Sequence, residues 1–220
     1  MRSIVINYLI MGLLLIPGCS TKDKSSSKKS KALNVNEIKL NAGDYDAIED
    51  SSEVLWECKW LGGASHDGSV QLVSGSINIS ETSEVNGRFV VDLNLMKCFD
   101  LKNEGANRTL IRHLKSDDFF DVANYPEAML DLNSGKNISG NQFEFSGNLT
   151  IKGRSHPITF TGTVIENNLS YETNLKLIFD RSKYDVRYRS ASLFSDLGDR
   201  IIADDVKLTV KAKFKKVSKI

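Results

Sequence analysis

The sequence has no Gly-x-Ser-x-Gly elbow, no phosphate-binding glycine loop and no dinucleotide fingerprint, so the commonest signatures of hydrolases and nucleotide-dependent enzymes are missing. Histidine is scarce: His66, His113 and His156 show none of the paired spacing of a helical metal site, and each is read as structural or solvated. Only three cysteines occur, at positions 19, 58 and 98. Cys98 has no histidine beside it in sequence, which argues against a nucleophile. Cys58 and Cys98 could pair in an oxidising compartment, but a separation of 40 positions says nothing about geometry, and the pairing is left open. The net charge is only +1, without the excess of lysine and arginine that nucleic acid would require. A catalytic reading therefore starts without support, and no enzyme, catalytic residue, metal or resident cofactor is expected.

Long apolar runs are absent too. The stretch Ile10 to Ile16 is too short to span a bilayer core of about 30 Å. It follows Arg2 and precedes Pro17-Gly18-Cys19, so residues 1–18 read as a signal peptide and Ile16-Pro17-Gly18-Cys19 as resembling a lipobox, with Pro17 unusual there. Cys19 is then the expected lipidation site, anchored by acyl chains that each contribute about 0.8 kcal/mol per buried methylene. Ser20 rather than aspartate follows the cysteine, which favours the outer membrane by similarity to proteobacterial lipoproteins. The expected location is the cell envelope, facing the periplasm. Residues 20–31 carry five lysines, one aspartate and no apolar side chain, and cannot offset the entropy of ordering. Residues 19–48 are thus expected to be the lipidated cysteine and a polar linker, with the domain over 49–217.

In that domain the dominant signal has a period of two. Val54, Trp56, Cys58 and Trp60 oppose Glu53, Glu57 and Lys59. A second segment begins with Val70 and Leu72 and ends with Ile77 and Ile79, a parity change that predicts a bulge near Gly75. Further apolar faces follow: Phe89, Val91, Leu93 and Leu95; Ala128, Leu130 and Leu132; Phe143 through Ile151; Ile158 through Val164; Leu169 through Phe179; Val206 through Phe214. Between the third and fourth lies one helical stretch, with Ala106, Leu110 and Leu114 on one face and Ser116 placed to cap a short second helix. Eight long strands, each with one apolar face, need closure to leave no open edge. The expectation is all-β: an eight-stranded antiparallel up-and-down barrel, lipocalin-like, with a helical insertion capping one end. The charged polar face and the missing aromatic girdles favour apolar residues inside over an outer-membrane barrel. Such a barrel either fills itself with side chains or holds one apolar ligand, and alternation does not choose between them.

Several segments together resemble a known family. Ser52-Glu53-Val54-Leu55-Trp56, His66-Asp67-Gly68, Val91-Asp92-Leu93, His113 through Val122, Tyr125-Pro126, Gly147 through Gly153 and Phe179-Asp180-Arg181 are similar, in order and spacing, to YceI-like proteins over about residues 50–214. Leu193 through Asp199, with Asp204-Asp205, resembles the lipoprotein branch common in Bacteroidetes-type bacteria. The resemblance implies a barrel whose elongated cavity accepts a polyisoprenoid or the tail of an isoprenoid quinone. By inward parity and the helical lid, the cavity wall is expected to include Trp56, Phe89, Val91, Phe119, Phe120, Leu149, Ile151, Phe160, Leu175 and Phe179. Asp92, Asp180 and Arg181 are read as structural polar residues at the rim. Arg189 stands where relatives carry glycine and serine, either narrowing a loop or reaching an anionic headgroup. The partners implied are an isoprenoid lipid and the membrane holding the anchor, and a homodimer is left open. The rival reading is a packed barrel without ligand, acting as an envelope stress or interaction protein.

Overall fold

A computed structural model describes residues 39–168, 170–194 and 198–218. Cys19, the expected signal peptide and residues 19–38 of the expected linker lie outside these residues, as does Leu169.

Among the described residues nine strands form one antiparallel sheet: β1 (Gly43–Ala47), β2 (Glu53–Trp60), β3 (Ser65–Ile79), β4 (Val85–Cys98), β5 (Glu127–Ser139), β6 (Gln142–Ile151), β7 (Arg154–Asn167), β8 (Ser170–Asp180) and β9 (Ile202–Lys216). β2 pairs with β9 on one side and β3 on the other, and β3 pairs with β4, so the sheet closes. β1 lies in the same lane as β2, also between β3 and β9. A 3-10 turn at Glu49–Ser51 separates them, so the two short strands make one stave of an eight-stave barrel. Closure gives every strand a neighbour on both sides, so no edge is left open, as the sequence pattern requires. β1 lies within the stretch read as linker, and the ordered domain starts earlier than position 49. Tyr45, 2% exposed, shows why: it belongs to the core.

The apolar face of each strand points inward, as expected. Val54, Leu72, Phe145, Leu149, Phe160, Leu177 and Val206 are all buried, while Glu53, Glu144 and Lys207 are exposed. The parity change in β3 occurs where its pairing with β4 shifts, between Leu72 and Ser74. Gly75 is needed just beyond: a Cβ there would lie 2.9 Å from Ala47 Cβ and 3.0 Å from the Phe89 ring. A second shift, between Ser69 and Gln71, flips β4 after Leu93. Leu95 therefore turns to solvent, 41% exposed, and Met96 goes inside, correcting the expected third apolar face.

Between β4 and β5, helix α1 (Glu104–Leu114) starts at Asn103, whose side chain accepts from Ala106 N at 2.9 Å. Ile111 and Leu114 pack on the core; Ala106, expected there, is exposed. The anticipated second helix is instead a run of turns. The Ser116 hydroxyl donates back to His113 O at 2.7 Å, and Ser116 O accepts from both Phe119 N and Asp121 N, which leaves no helical ladder to propagate.

Candidate functional site: the barrel cavity

A cavity of about 210 Å³ runs along the barrel axis from Leu40 at one end to Leu114, Phe119 and Phe120 at the other. All ten residues expected on its wall, namely Trp56, Phe89, Val91, Phe119, Phe120, Leu149, Ile151, Phe160, Leu175 and Phe179, line it. The inward parity of the strands places eight, and the turns after α1 bring in Phe119 and Phe120. Leu40, Met96 and Met129 also line it and were not anticipated. Leu40 precedes any periodic segment, and Met96 depends on the pairing shift in β4.

The floor, at the end holding β1, is closed by side chains of the strands and of the segment just before them. Tyr45 and Tyr171 pack ring to ring at 5.1 Å; Asn41 N donates to Tyr171 Oη at 2.8 Å and Tyr45 Oη donates to Asn41 O at 3.0 Å. Leu40 is thereby drawn inside, 7% exposed. Burial, with the Tyr171 hydroxyl beside it, pushes the Tyr45 phenol up to about 12.

The opposite end is closed by two excursions of chain, within which the described residues are 99–126, 181–194 and 198–201. Phe119 and Tyr188 pack at 5.2 Å, and the His113 ring meets both edge-on at 4.9 and 4.5 Å. Arg181 locks the second excursion from beneath. It is 1% exposed and donates through Nε to Ala203 O (3.1 Å), Nη1 to Val186 O (2.9 Å) and Nη2 to Ile202 O (3.1 Å), with Asp204 Oδ1 at 3.5 Å. Burial lowers its pKa while Asp204 counteracts. Burial would raise the Asp204 carboxyl, but hydrogen bonds from Ser190 and Ser192 and the Arg181 charge hold it below the usual carboxylate range.

Of the polar residues singled out in the sequence, Arg181 is spent on backbone carbonyls and lies deep inside rather than on an exposed rim. Asp180 accepts from Ser182 N at 2.9 Å, and Asp92 accepts from Asn94 N at 2.8 Å. Arg189 stacks over Trp60 (5.7 Å) and Tyr188 (5.1 Å). His156 Nε2 meets Lys183 O at 3.0 Å, joining the β6–β7 hairpin to the second excursion. His66 Nδ1 contacts Asp100 Oδ2 at 2.8 Å. Cys58 and Cys98 are both free thiols. Burial raises the Cys58 pKa despite the nearby Arg181 charge.

Chemically the cavity is a dry slot. Among its lining side chains only Trp56, Cys58, Tyr171, Thr173 and Arg181 carry a polar atom. Arg181 is saturated, and Trp56 Nε1 is buried with no hydrogen-bond partner among the described residues. A slot of this kind binds by excluding water from an apolar chain.

Known proteins with a similar sequence or architecture bear on these features. A UPF0312 protein of Pseudomonas putida is 28% identical over 143 residues, spanning 62% of this chain and 72% of its own. BcnA of Burkholderia cenocepacia superimposes with a TM-score of 0.62 at 20% identity, covering 76% of this chain and 99% of that one. A polyisoprenoid binding domain from Saccharophagus degradans, implicated in plant cell wall breakdown, superimposes with a TM-score of 0.57 at 14% identity, covering 80% and 100%. The two solved structures share the barrel architecture. The family model described as the YceI-like domain matches residues 45–214, from the first inward tyrosine of β1 to the last inward phenylalanine of β9, and the chain belongs to that family.

Proposed function

We propose that this protein binds or carries an isoprenoid lipid, a polyprenyl chain or quinone tail, in the barrel cavity, and that it is a lipoprotein tethered through Cys19 to the outer membrane and facing the periplasm. The observation that carries the binding reading is the continuous apolar slot from Leu40 to Phe120. Burying a hydrocarbon chain there contributes about 25 cal/mol per Å² removed from water, without any bond made or broken. The isoprenoid class is supported by the polyisoprenoid binding domain of Saccharophagus, which shares the fold.

The slot's about 210 Å³ is below the ~300–1,000 Å³ typical of small-molecule pockets, which suits a thin chain in single file rather than a bulky ring system. Met96 and Met129, unbranched and adaptable, are the wall residues best able to give way to methyl branches.

The test is native mass spectrometry and lipid extraction of protein purified from its own host. A prenyl lipid at near one equivalent is the expected result; repeated recovery of an empty barrel would overturn the carrier reading. The anchor is tested separately, since Cys19→Ser should release the protein from the membrane fraction.

A further inference from the structure

We infer that His66, Cys98 and Asp100 form a binding site for one zinc-class divalent ion at the lid end of the barrel, outside the cavity described above. Their donor atoms, an imidazole nitrogen, a thiol sulfur and a carboxylate oxygen, all lie within 4.8 Å of one another. His66 Nδ1 is 2.8 Å from Asp100 Oδ2, and Cys98 Sγ is 3.1 Å from Asp100 Oδ1. A tetrahedral zinc with bonds of about 2.0–2.3 Å spaces its ligand atoms roughly 3.3–3.7 Å apart. The three donors straddle that spacing, so small side-chain rotations complete the geometry.

The backbone beneath them is held in place. The β3–β4 register sets Gly68 opposite Cys98, Phe99 N donates to Asp67 O at 2.8 Å, and Asp67 N donates to Asp100 Oδ1 at 3.1 Å. From α1, the Asn107 side chain donates to Cys98 O at 2.9 Å and Leu101 O at 3.0 Å. His66 and Cys98 therefore sit on two adjacent strand ends, and Asp100 lies two residues beyond β4 in the connection that the Asn107 side chain clamps on both sides.

Charge and softness also fit. A thiolate and a carboxylate neutralise a divalent ion, and the sulfur, nitrogen and oxygen set suits zinc better than calcium or magnesium, which prefer oxygen alone. Cys98 is buried, while the His66 and Asp100 side chains remain 26% and 25% exposed, which leaves the fourth position facing solvent. Three protein ligands plus an open position is the arrangement of an accessible zinc site rather than a closed structural one.

The experiment is titration of purified, untagged protein with Co²⁺, followed by displacement with Zn²⁺ against a chromophoric chelator. One saturable equivalent is expected, with a thiolate-to-cobalt charge-transfer band that zinc abolishes. Cys98→Ser should remove that band, and His66→Gln, at a partly exposed position, should weaken binding by roughly tenfold or more. Cys58→Ser should leave both unchanged, and circular dichroism establishes that each variant is folded. If Cys98→Ser does not fold, the His66→Gln titration decides. No saturable equivalent, a band that survives Cys98→Ser, or unchanged affinity in folded His66→Gln would overturn the site. None of these readouts involves a lipid, so an empty cavity and an absent metal site are separate results.

Discussion

The two ends of the barrel are closed by different means. The floor is sealed by Leu40, Tyr45 and Tyr171, side chains of the strands and of the few residues leading into them, with two neutral hydrogen bonds. The lid end is sealed by two long excursions of chain; it buries a guanidinium with its carboxylate partner and carries the partly exposed His66–Cys98–Asp100 cluster. A floor built from the sheet itself moves only if the sheet moves. A lid of loops held by a few polar contacts can open while the staves stay paired, because local opening follows the weakest set of contacts. The comparison makes the lid end the expected entrance for a ligand and the floor its stop.

The largest effect that would break this contrast concerns Arg181. Replacing it with alanine leaves three carbonyls without their donor and Asp204 without its ion-pair partner, and should cost about 3–5 kcal/mol in urea denaturation. Filling the cavity comes next. Ala128, near the start of β5 at the lid end, and Ala212, toward the floor on β9, both line it. Phenylalanine at either should cost about 1–3 kcal/mol by overpacking. Ala128→Phe should block recovery of bound lipid, whereas Ala212→Phe should shorten the longest chain recovered. The reverse order, read by mass spectrometry, would put the entrance at the floor.

Smaller still, Tyr45→Phe removes one hydrogen bond to Asn41 O and should cost only about 0.5–1.5 kcal/mol in the same denaturation assay. Acid sharpens the contrast. Asp100 and Asp204 both lie below the usual carboxylate value of 3.8, against the opposing effect of burial, through hydrogen bonds from His66 and Cys98 and from Ser190 and Ser192. Their stabilising contribution is therefore complete above that value and is lost as pH falls through the lower folded values. Hydrogen exchange in acid should show residues 181–194 opening before β1, and Asp204→Asn should flatten the difference. Alkali should not discriminate, because Tyr45 at the floor and Tyr184 at the lid are both raised from 10 to about 12 and lose their contribution over that same window.

Much of the fold was legible because a barrel strand is a repetition of period two, and parity says which side chains share a face. Trp56, Leu149, Phe160 and Phe179 could be placed on the wall from alternation alone. What escaped was whatever interrupts the repetition. β1 holds only five residues; the alternation of Asp44 and Asp46 with Tyr45 and Ala47 was present but too short to stand out from a polar stretch. The flip that puts Met96 inside and Leu95 outside depends on a register shift against β3, which nothing local in β4 announces. Ser116 looked like a cap, yet its hydroxyl turns back to His113 O and ends the helical path.

By itself the sequence determined the strand class, the inward faces and the need for closure, since these follow from residue-by-residue alternation and the cost of unpaired edges. Only the tertiary structure decided that the first stave is made of two pieces, that Arg181 is buried against three carbonyls, and that His66, Cys98 and Asp100 meet. Those outcomes rest on the register between lanes and on side chains that meet from different lanes and connections, and the alternation within one strand encodes neither.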